Sequence, residues 1–478
     1  MTIIHITSEC YPVAKAGGLG DVAGALPKYL TSNGHPSAVV MPHYHNKWME
    51  SAKCEQVFKG EAPFGSGKFS FTVSKLKEPD LGYELFFIGI PGRFDRPGVY
   101  IDPWSGHPYW DEKERFFSFQ IAALEWLHSE STLPDVVHCH DHHTGLIPFM
   151  MKECFRFEKY KMVPSVLTIH NGEYQGRYDM GSYSMLPAFN LDKLGLLEWD
   201  GAFNSLAAGI KSAWKVTTVS EGYMEELFDH CHGLEHLLRH EKEKTTGIVN
   251  GIDSDVWNPE TDEYLIKNFT AKTFQSGKKA NKTFLCNEFG LDKNRPLFSF
   301  IGRLVIEKGA DLIPEMIHDC KRENVEASFF VLGTGDPALH DLFSGLKSEY
   351  VGYFDTRLEY NESLAHKIYA GSDFLLMPSR VEPCGLNQLY SMRYGTIPLV
   401  RKTGGLADTV IDISEEDGYG LVFEDFDLKQ ASEAIRRGVE LYHKKQFFDK
   451  TRKKIMGLDF SWEKSAKNYV ELYKSIQS

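Results

Sequence analysis

Along this chain, short continuous apolar runs alternate with longer stretches in which apolar residues recur every three or four positions. Ile3 to Thr7 is an apolar run that ends in polar residues, as a buried strand does, and a helical pattern follows from about Asp21 to Ser32. Asn33-Gly34 closes that helix, and the β-rich "SAVVMP" comes next, completing a β-α-β unit. "YELFFIGI", "PDVVHCH" and "VPSVLTIH" read as further strands, with a helix over Arg115 to Ser129 between two of them. "KVTTVS", Lys215 to Ser220, reads as the last strand of this half.

A second alternating series begins after Asn294. Leu297 to Ile301, Ala327 to Leu332, Asp373 to Met377 and Ile397 to Val400 are strand-like, and helical patterns over Gly309 to Cys320, Leu364 to Ala370 and Leu386 to Tyr394 lie between them. Strands alternating with helices give parallel sheets covered on both faces. The expected class is therefore α/β, with two Rossmann-like doubly wound domains facing each other across a deep interdomain cleft. Ligands of such sheets bind at the carboxyl ends of the strands. The boundary falls near residues 240–250, where the charged "RHEKEKTTG" precedes "IVNGID". The tail "FSWEKSAKNYVELYKSI" has a helical pattern of its own, with Trp462, Ala466, Tyr469, Val470 and Tyr473 on one stripe.

Composition narrows the function classes. The 478 residues carry 53 Lys and Arg against 66 Asp and Glu, a net charge of −13, which disfavours nucleic acid or an anionic membrane as partner. Any anionic ligand must then be caught by a few placed cations. The eight cysteines are scattered without a C-x-x-C pair, the N-terminal residues read as a strand rather than a targeting segment, and no stretch approaches a membrane span. These features point to a cytoplasmic protein with reduced thiols.

The stretch "KAGGLGD" carries the first candidate chemistry. Gly18, Gly20 and Ala23 match G-x-G-x-x-A, but about ten residues separate Thr7 from Gly18, and "SAVVMPHYH" offers no acid for a ribose. Both departures argue against a dinucleotide. Lys15 with the amides of Gly17 and Gly18 instead suggests a small anion-binding concavity at a helix N-terminus. In the second half, "GRLVIEKGAD" puts Arg303 just past a strand end and Lys308 five residues on, a pair suited to a diphosphate. Glu382 stands at another strand tip, where it can accept hydrogen bonds from sugar hydroxyls, and Cys384, Gly385 and Leu386 lead into a helix. Gly404 and Gly405 precede a further helix start, read as one more loop built for anions and hydroxyls. Two metal-like patterns compete, "HCHDHH" at His138 to His143 and "DSD" at Asp253 to Asp255. The first has no completing glutamate or cysteine at a familiar spacing, and the second is short enough to arise by chance. No metal ligand and no cofactor is assigned.

Seven motifs in order, "KAGGLGD", "HCHDHHTGL", "TIHNGEYQG", "VNGIDSDVWNP", "GRLVIEKGAD", "SRVEPCGLNQLY" and "YGTIPLVRKTGGLADTV", resemble those of the bacterial glycogen synthase and plant starch synthase family over the whole chain. The resemblance implies the GT-B architecture and transfer of glucose from ADP-glucose to the 4-hydroxyl of an α-1,4-glucan with retention. It implies an acceptor-side domain over residues 1–245, rejoined by a returning helix over 460–478, and a nucleotide-sugar domain over 246–459. By motif, Lys15, Gly17, Gly18 and Asp21 would help hold the nucleotide end, and Asp141, His170 and Asn171 would surround the donor glucose. Asn250 belongs to the hinge motif, Arg303 and Lys308 face the diphosphate, and Glu382 faces the donor sugar beside Cys384, Gly385 and Leu386. Tyr353 is the aromatic expected to lie against adenine. His142 stands where the family usually has tryptophan, Asn387 where threonine is usual, and Tyr390 where many related transferases carry a second glutamate.

Overall fold

The computed structural model describes residues 1–477; Ser478, the end of the expected tail helix, lies outside the described residues. Two units divide the chain, Met1–Ile248 with the segment from Trp462 onward, and Val249–Ser461.

In the first unit the strands are β1 (Ile3–Ile6), β2 (Ser37–Pro42), β3 (Lys53–Phe64), β4 (Gly67–Glu78), β5 (Glu84–Gly89), β6 (Val136–His140), β7 (Ser165–Ile169), β8 (Arg177–Tyr178), β9 (Glu198–Trp199), β10 (Ala202–Asn204), β11 (Lys215–Thr218) and β12 (Thr245–Gly247). Nine of them form one sheet in the order β12-β11-β7-β6-β1-β2-β5-β4-β3, and β8, β10 and β9 form a small separate one. The large sheet is parallel from β12 to β5 and antiparallel at β5, β4 and β3. Its central strands are buried on both faces, which is why they read as unbroken apolar runs. Both edges differ from what the apolar pattern predicts. The long β3–β4 hairpin extends one of them. At the other, β12 rather than β11 comes last, because three residues, Thr-Thr-Gly, carry no apolar signal.

The first helix spans Gly18–Ser32 and starts earlier than its apolar pattern, since Gly18 and Gly20 contribute nothing to hydropathy. It buries Val22, Leu26 and Leu30 against β1 and against the tail helix Trp462–Lys474. The expected stripe of the tail helix is buried in full, with Trp462, Ala466, Tyr469, Val470 and Tyr473 each below a tenth exposed. The Tyr473 hydroxyl also pairs with His138 Nδ1 at 2.8 Å, so the last helix is tied to the middle of β6.

The second unit contains β13 (Leu297–Ile301), β14 (Ser328–Leu332), β15 (Phe354–Arg357), β16 (Phe374–Met377), β17 (Ile397–Arg401) and β18 (Leu421–Phe423) in a parallel sheet ordered β15-β14-β13-β16-β17-β18. Its core is held across both faces by Phe298, Phe329, Phe374, Ile317, Ile435 and their neighbours. In each unit the chain winds outward one way, then returns to the centre and winds the other. Strands β1 and β6 flank this reversal in the first unit, and β13 and β16 flank it in the second. The loops that follow these four strands start side by side at the carboxyl edge, where such sheets bind ligands. In the second unit the two loops bond to each other, the Arg380 N–H donating to the Glu307 carbonyl at 2.8 Å and the Arg380 guanidinium pairing with Asp311. Among the described residues no helix is long and apolar enough to cross a membrane.

The Tyr473–His138 hydrogen bond is buried at both ends, so its loss has a defined sign. Tyr473→Phe leaves a buried imidazole nitrogen short of its partner and should lower the unfolding free energy by about 1–3 kcal/mol in urea titrations. An unchanged denaturation midpoint would show that the tail helix is held by its apolar stripe alone.

Candidate active site

The carboxyl edge of β1 builds the Lys15 loop. Lys15 Nζ lies 2.7 Å from Asp21 Oδ1, one turn into the helix, and both groups are partly exposed. Gly17 is the helix N-cap and Gly18 its first residue. A side chain at Gly17 or Gly18 would meet nothing within 4 Å, whereas one at Gly24 would meet the Tyr11 carbonyl oxygen at 2.5 Å. Packing thus requires glycine at Gly24 but not at the first two positions, which leaves bare backbone at the place a ligand would approach. The anion expected on this loop has an internal counterpart. Glu9, buried just past β1, accepts from the Ala16 N–H at 2.6 Å and from the Gly17 N–H at 2.9 Å. Its other oxygen accepts from the Tyr100 hydroxyl at 2.7 Å. The Gly17 amide therefore serves the protein's own carboxylate, which braces the loop, and the loop's cation is Lys15. Glu9 belongs to none of the motifs; its only signal in the sequence is an acid standing directly after the central strand. Beside this loop, Val13 to Ala16, Asn46 to Trp48 and Pro97 to Ile101 line an open cavity of about 560 Å³.

The carboxyl edges of β6 and β7 place Asp141 and His170 together. Asp141 has φ 57° and ψ −175°, a conformation that non-glycine residues seldom adopt, and such strain costs on the order of 1–3 kcal/mol. In return its Oδ1 accepts from the His170 N–H at 2.7 Å and lies 3.4 Å from the Asn171 N–H. Burial raises the Asp141 carboxyl to about 7, the two amides oppose the rise, and nearby Glu9 adds to it. His170 is held down to about 3 by burial and is a neutral imidazole. Its Nε2 lies 3.0 Å from His140 Nδ1, and His140 Nε2 lies 3.3 Å from His5 Nδ1, so a chain of neutral rings orients it. His138 has Tyr473 on one nitrogen and Thr168 on the other, at 2.8 and 2.6 Å, which accounts for it as a structural residue.

The second unit collects its groups where β13 and β16 separate. Lys308 Nζ lies 2.6 Å from Glu382 Oε1, and Ser379 Oγ donates to Glu382 Oε2 at 2.9 Å. Glu382 is buried, Lys308 half-buried, and Arg303 exposed; among the described residues Arg303 makes no ion pair. Gly385 has φ +71° and opens the turn into the helix Asn387–Arg393, of which Leu386 is the N-cap. Asn387, where the family usually has threonine, donates from Nδ2 to the Ile301 carbonyl at 2.6 Å, pinning this helix start to the end of β13. Cys384 is buried and its thiol is pushed up to about 12, so it stays protonated and is no nucleophile. Asn250 is buried with its side-chain oxygen short of a partner among the described residues, a ready acceptor.

Two roles expected from the sequence need correction. A side chain at Gly404 would meet the Glu382 carbonyl oxygen at 2.2 Å, and one at Gly405 would meet that of Cys384 at 2.2 Å. These glycines are a close-packed buttress under the Glu382 turn rather than a further anion cradle. Tyr353 precedes β15, at the amino end of the sheet, and lies buried with its hydroxyl 3.1 Å from the Val325 carbonyl. It cannot reach a ligand at the carboxyl edge, whereas Tyr360, beyond the carboxyl end of the same strand, is 83% exposed. The two remaining patterns belong to packing. Asp253 accepts from the amides of Asp255 and Val256, so "DSD" is a hydrogen-bonded turn. The Tyr390 ring stacks on Trp257 at 3.8 Å, with His366 also stacked on Trp257 at 4.1 Å.

The raised Asp141 carboxyl has a consequence for stability. The group is easier to protonate in the folded chain, so the unfolded chain binds fewer protons and stability falls as pH rises from about 4 to about 7. At full ionisation the penalty is on the order of 4 kcal/mol. Asp141→Asn keeps an acceptor for both amides and should be more stable than the parent at pH 8, with the gap closing toward pH 4. Parallel stability curves across that range would disprove the shift.

Comparison with known proteins fits this geometry. The starch synthase catalytic domain family matches residues 2–240, and the glycosyl transferases group 1 family matches residues 281–455. A glycogen synthase of Flavobacterium johnsoniae is 46% identical over 477 residues, covering 100% of this chain and 99% of its own. One from Streptococcus pneumoniae serotype 2 is 38% identical with both chains covered in full. Among solved structures, the catalytic domain of starch synthase IV from Arabidopsis thaliana, bound to ADP and acarbose, matches with a TM-score of 0.88 and 32% identity, covering 100% of this chain and 99% of that one. Sucrose-phosphate synthase from Thermosynechococcus elongatus shares the fold, with a TM-score of 0.62 at 16% identity over 99% of this chain and 98% of that one. With GT-B folding, the synthase motifs and full-length relatives in agreement, the chain belongs to the glycogen and starch synthase family of glycosyltransferases.

Proposed function

We propose that this enzyme transfers glucose from ADP-glucose to the non-reducing 4-hydroxyl of an α-1,4-glucan, with retention of configuration. The observation that carries the proposal is the group at the carboxyl ends of β13 and β16: a lysine held against a buried glutamate, and, five positions before that lysine, an exposed arginine that makes no ion pair among the described residues. ADP and acarbose are bound by the Arabidopsis relative, and the curated relatives are named glycogen synthases. Both point to a nucleotide-sugar donor and a glucan acceptor. The eight cysteines are all unpaired, which suits the cytoplasm as the compartment.

In this reading Arg303 forks onto the diphosphate and Lys308 neutralises the charge that grows as the leaving group departs. The bond from the anomeric carbon to the phosphate oxygen breaks with its electron pair on that oxygen. The acceptor's 4-oxygen bonds to the same face of the anomeric carbon, and its proton passes to the leaving phosphate oxygen. Both Glu382 oxygens are already engaged, by Lys308 and Ser379, which suits an orienting and electrostatic group better than a nucleophile. In the first unit, neutral His170 and the Asp141 turn that fixes it serve the donor glucose, while Lys15, Asp21 and the bare glycines serve the nucleotide end. Asn171 and Asn250 supply further hydrogen bonds, and Tyr360 replaces Tyr353 as the aromatic platform for adenine.

Incubation with ADP-glucose and a maltooligosaccharide should release ADP only when the glucan is present and should lengthen it by glucose units, with or without excess EDTA. Equal turnover of UDP-glucose would remove the donor assignment, and an unextended glucan the acceptor assignment. Arg303→Ala should fold normally, because the side chain is exposed and makes no ion pair, yet lose on the order of 100-fold in kcat, about 3 kcal/mol of transition-state stabilisation. Lys308→Ala should lose at least as much and also destabilise the chain, since it strands the buried Glu382 carboxylate. Near-normal kcat in both variants would make the pair a surface feature.

A further inference from the structure

After β6 the chain turns at Asp141, and the short turn His142–Thr144 carries two adjacent imidazoles toward the start of the helix Glu112–Ser129. One ring nitrogen from each of His142 and His143 and a carboxylate oxygen of Glu112 all lie within 4.8 Å of one another. His142 Nδ1 lies 3.0 Å from the Tyr174 carbonyl oxygen. A carbonyl only accepts, so Nδ1 carries the proton and, in the neutral ring, Nε2 keeps its lone pair. That lone pair stands 3.8 Å from Glu112 Oε1, beyond hydrogen-bond reach, so two electron-rich atoms are set side by side.

His143 completes the triangle. It is 6% exposed, packed on the rings of Tyr100 at 4.7 Å and Phe116 at 4.4 Å, and its Nδ1 is buried with no hydrogen-bond partner among the described residues. Burial keeps this ring neutral and able to donate a lone pair. A proton shared between His142 and Glu112 would satisfy those two groups and leave His143 as it is, whereas a divalent cation satisfies all three. Metal–nitrogen and metal–oxygen bonds of about 2.0–2.2 Å at tetrahedral angles place neighbouring ligand atoms about 3.3–3.6 Å apart, so the 3.8 Å between His142 Nε2 and Glu112 Oε1 has to shorten by only a few tenths of an ångström. The Nδ1–H to carbonyl bond on His142 is the outer contact that commonly orients a ligating imidazole.

We propose that Glu112, His142 and His143 form a transition-metal site, suited by its two imidazoles and one carboxylate to Zn²⁺, which clamps the Asp141 turn and the Tyr174 loop to the start of the helix Glu112–Ser129. Glu112 is one-third exposed on its side chain and gives the ion a way in. The role is structural: the ion adds to the stability of the folded unit, and no chemical step passes through it, so its removal lowers the thermal midpoint while glucosyl transfer at ordinary temperature persists. The site was not legible in the sequence, where Glu112 stands thirty positions before His142. The other buried cluster of His5, His138 and His140 is a poorer ligand set, because both His138 nitrogens already have partners.

The full-length chain, stripped with chelator and dialysed, should be titrated with Zn²⁺ by calorimetry and with Co²⁺ by visible absorption. We expect one equivalent to bind, with Co²⁺ bands of low-symmetry coordination and a rise in thermal midpoint of about 5 °C at a hundredfold excess over Kd. His143→Ala and Glu112→Gln should each weaken binding at least about tenfold, and His5→Gln should leave it unchanged; Glu112→Gln, at a partly exposed position, guards against a folding failure of the other variant. Absence of saturable binding below about 100 µM Zn²⁺ would overturn the proposal. So would equal binding by the Glu112 and His143 variants and the parent chain, or loss of binding in His5→Gln alone. Because the readout uses the metal without substrate, it stands or falls separately from the glucosyl-transfer assay.

Discussion

Adjacent parallel strands whose following connections run in opposite directions bring the starts of two loops, distant in sequence, together at one sheet edge. In the first unit this happens at β1 and β6, and in the second at β13 and β16. The candidate chemistry of each unit follows from that constraint. The loops after these strands begin within a few ångströms of one another, since neighbouring strands are about 4.8 Å apart. In the first unit the backbone at Gly17 and Gly18 is left open, whereas in the second the loop after β16 bonds back to the loop after β13 through Arg380 and Glu382 is buried. Lys15 and Glu9 hang on one side of the first reversal and Asp141 on the other; at the second, Lys308 on the loop after β13 meets Glu382 on the loop after β16, and Arg303 lies on the same loop as Lys308.

At both edges a buried carboxylate holds the geometry. Glu9 braces the amides of Ala16 and Gly17, so the two-glycine turn is ordered by the protein itself. Glu382 draws Lys308 inward and is held from its other oxygen by Ser379, which fixes the lysine where a departing diphosphate would need it. Asp141 does the same for the His170 backbone, at the expense of a strained φ. Each arrangement fixes polar groups before a substrate arrives, and preorganised groups are the form of electrostatic help that needs no reorganisation during the reaction.

Behind the first edge lies a polar network that is unusual for a sheet interior. His5, His138, His140 and Thr168 occupy buried positions on neighbouring strands, and burial keeps the imidazoles neutral. Neutral rings can relay orientation by hydrogen bonding without placing charge in the core. One chain of hydrogen bonds runs from His170 at the edge through His140 to His5; a second runs from Thr168 through His138 to Tyr473 on the last helix, and the two meet only where the His138 ring packs on those of His5 and His140. The returning helix therefore contributes both an apolar stripe and a polar contact to the first unit.

Much of this was legible in the linear chain. Continuous apolar runs marked the parallel strands, because strands buried on both faces need no polar alternation, and apolar residues three and four apart in the tail marked its buried stripe. Charged residues at or just beyond strand ends drew out Arg303, Lys308 and Glu382 as candidates, while Asp141, His170 and Asn171 came from the motifs of the family. Residues whose role depends on which end or face of the sheet they occupy were not legible. Tyr353 and Tyr360 are both tyrosines beside β15, and only the direction of that strand decides that one is core and the other lies at the ligand edge. Gly17 and Gly405 both belong to glycine pairs at a helix start, and only the neighbouring backbone decides that one is open and the other wedged against Cys384. Glu9 and Glu112 are ordinary acids until folding sets them beside amides or imidazoles that are distant in sequence. Local pattern settles which segments bury and which stay polar, because that depends on each residue's own transfer free energy; partnership between distant polar groups is a property of distance, and only the tertiary structure sets distance.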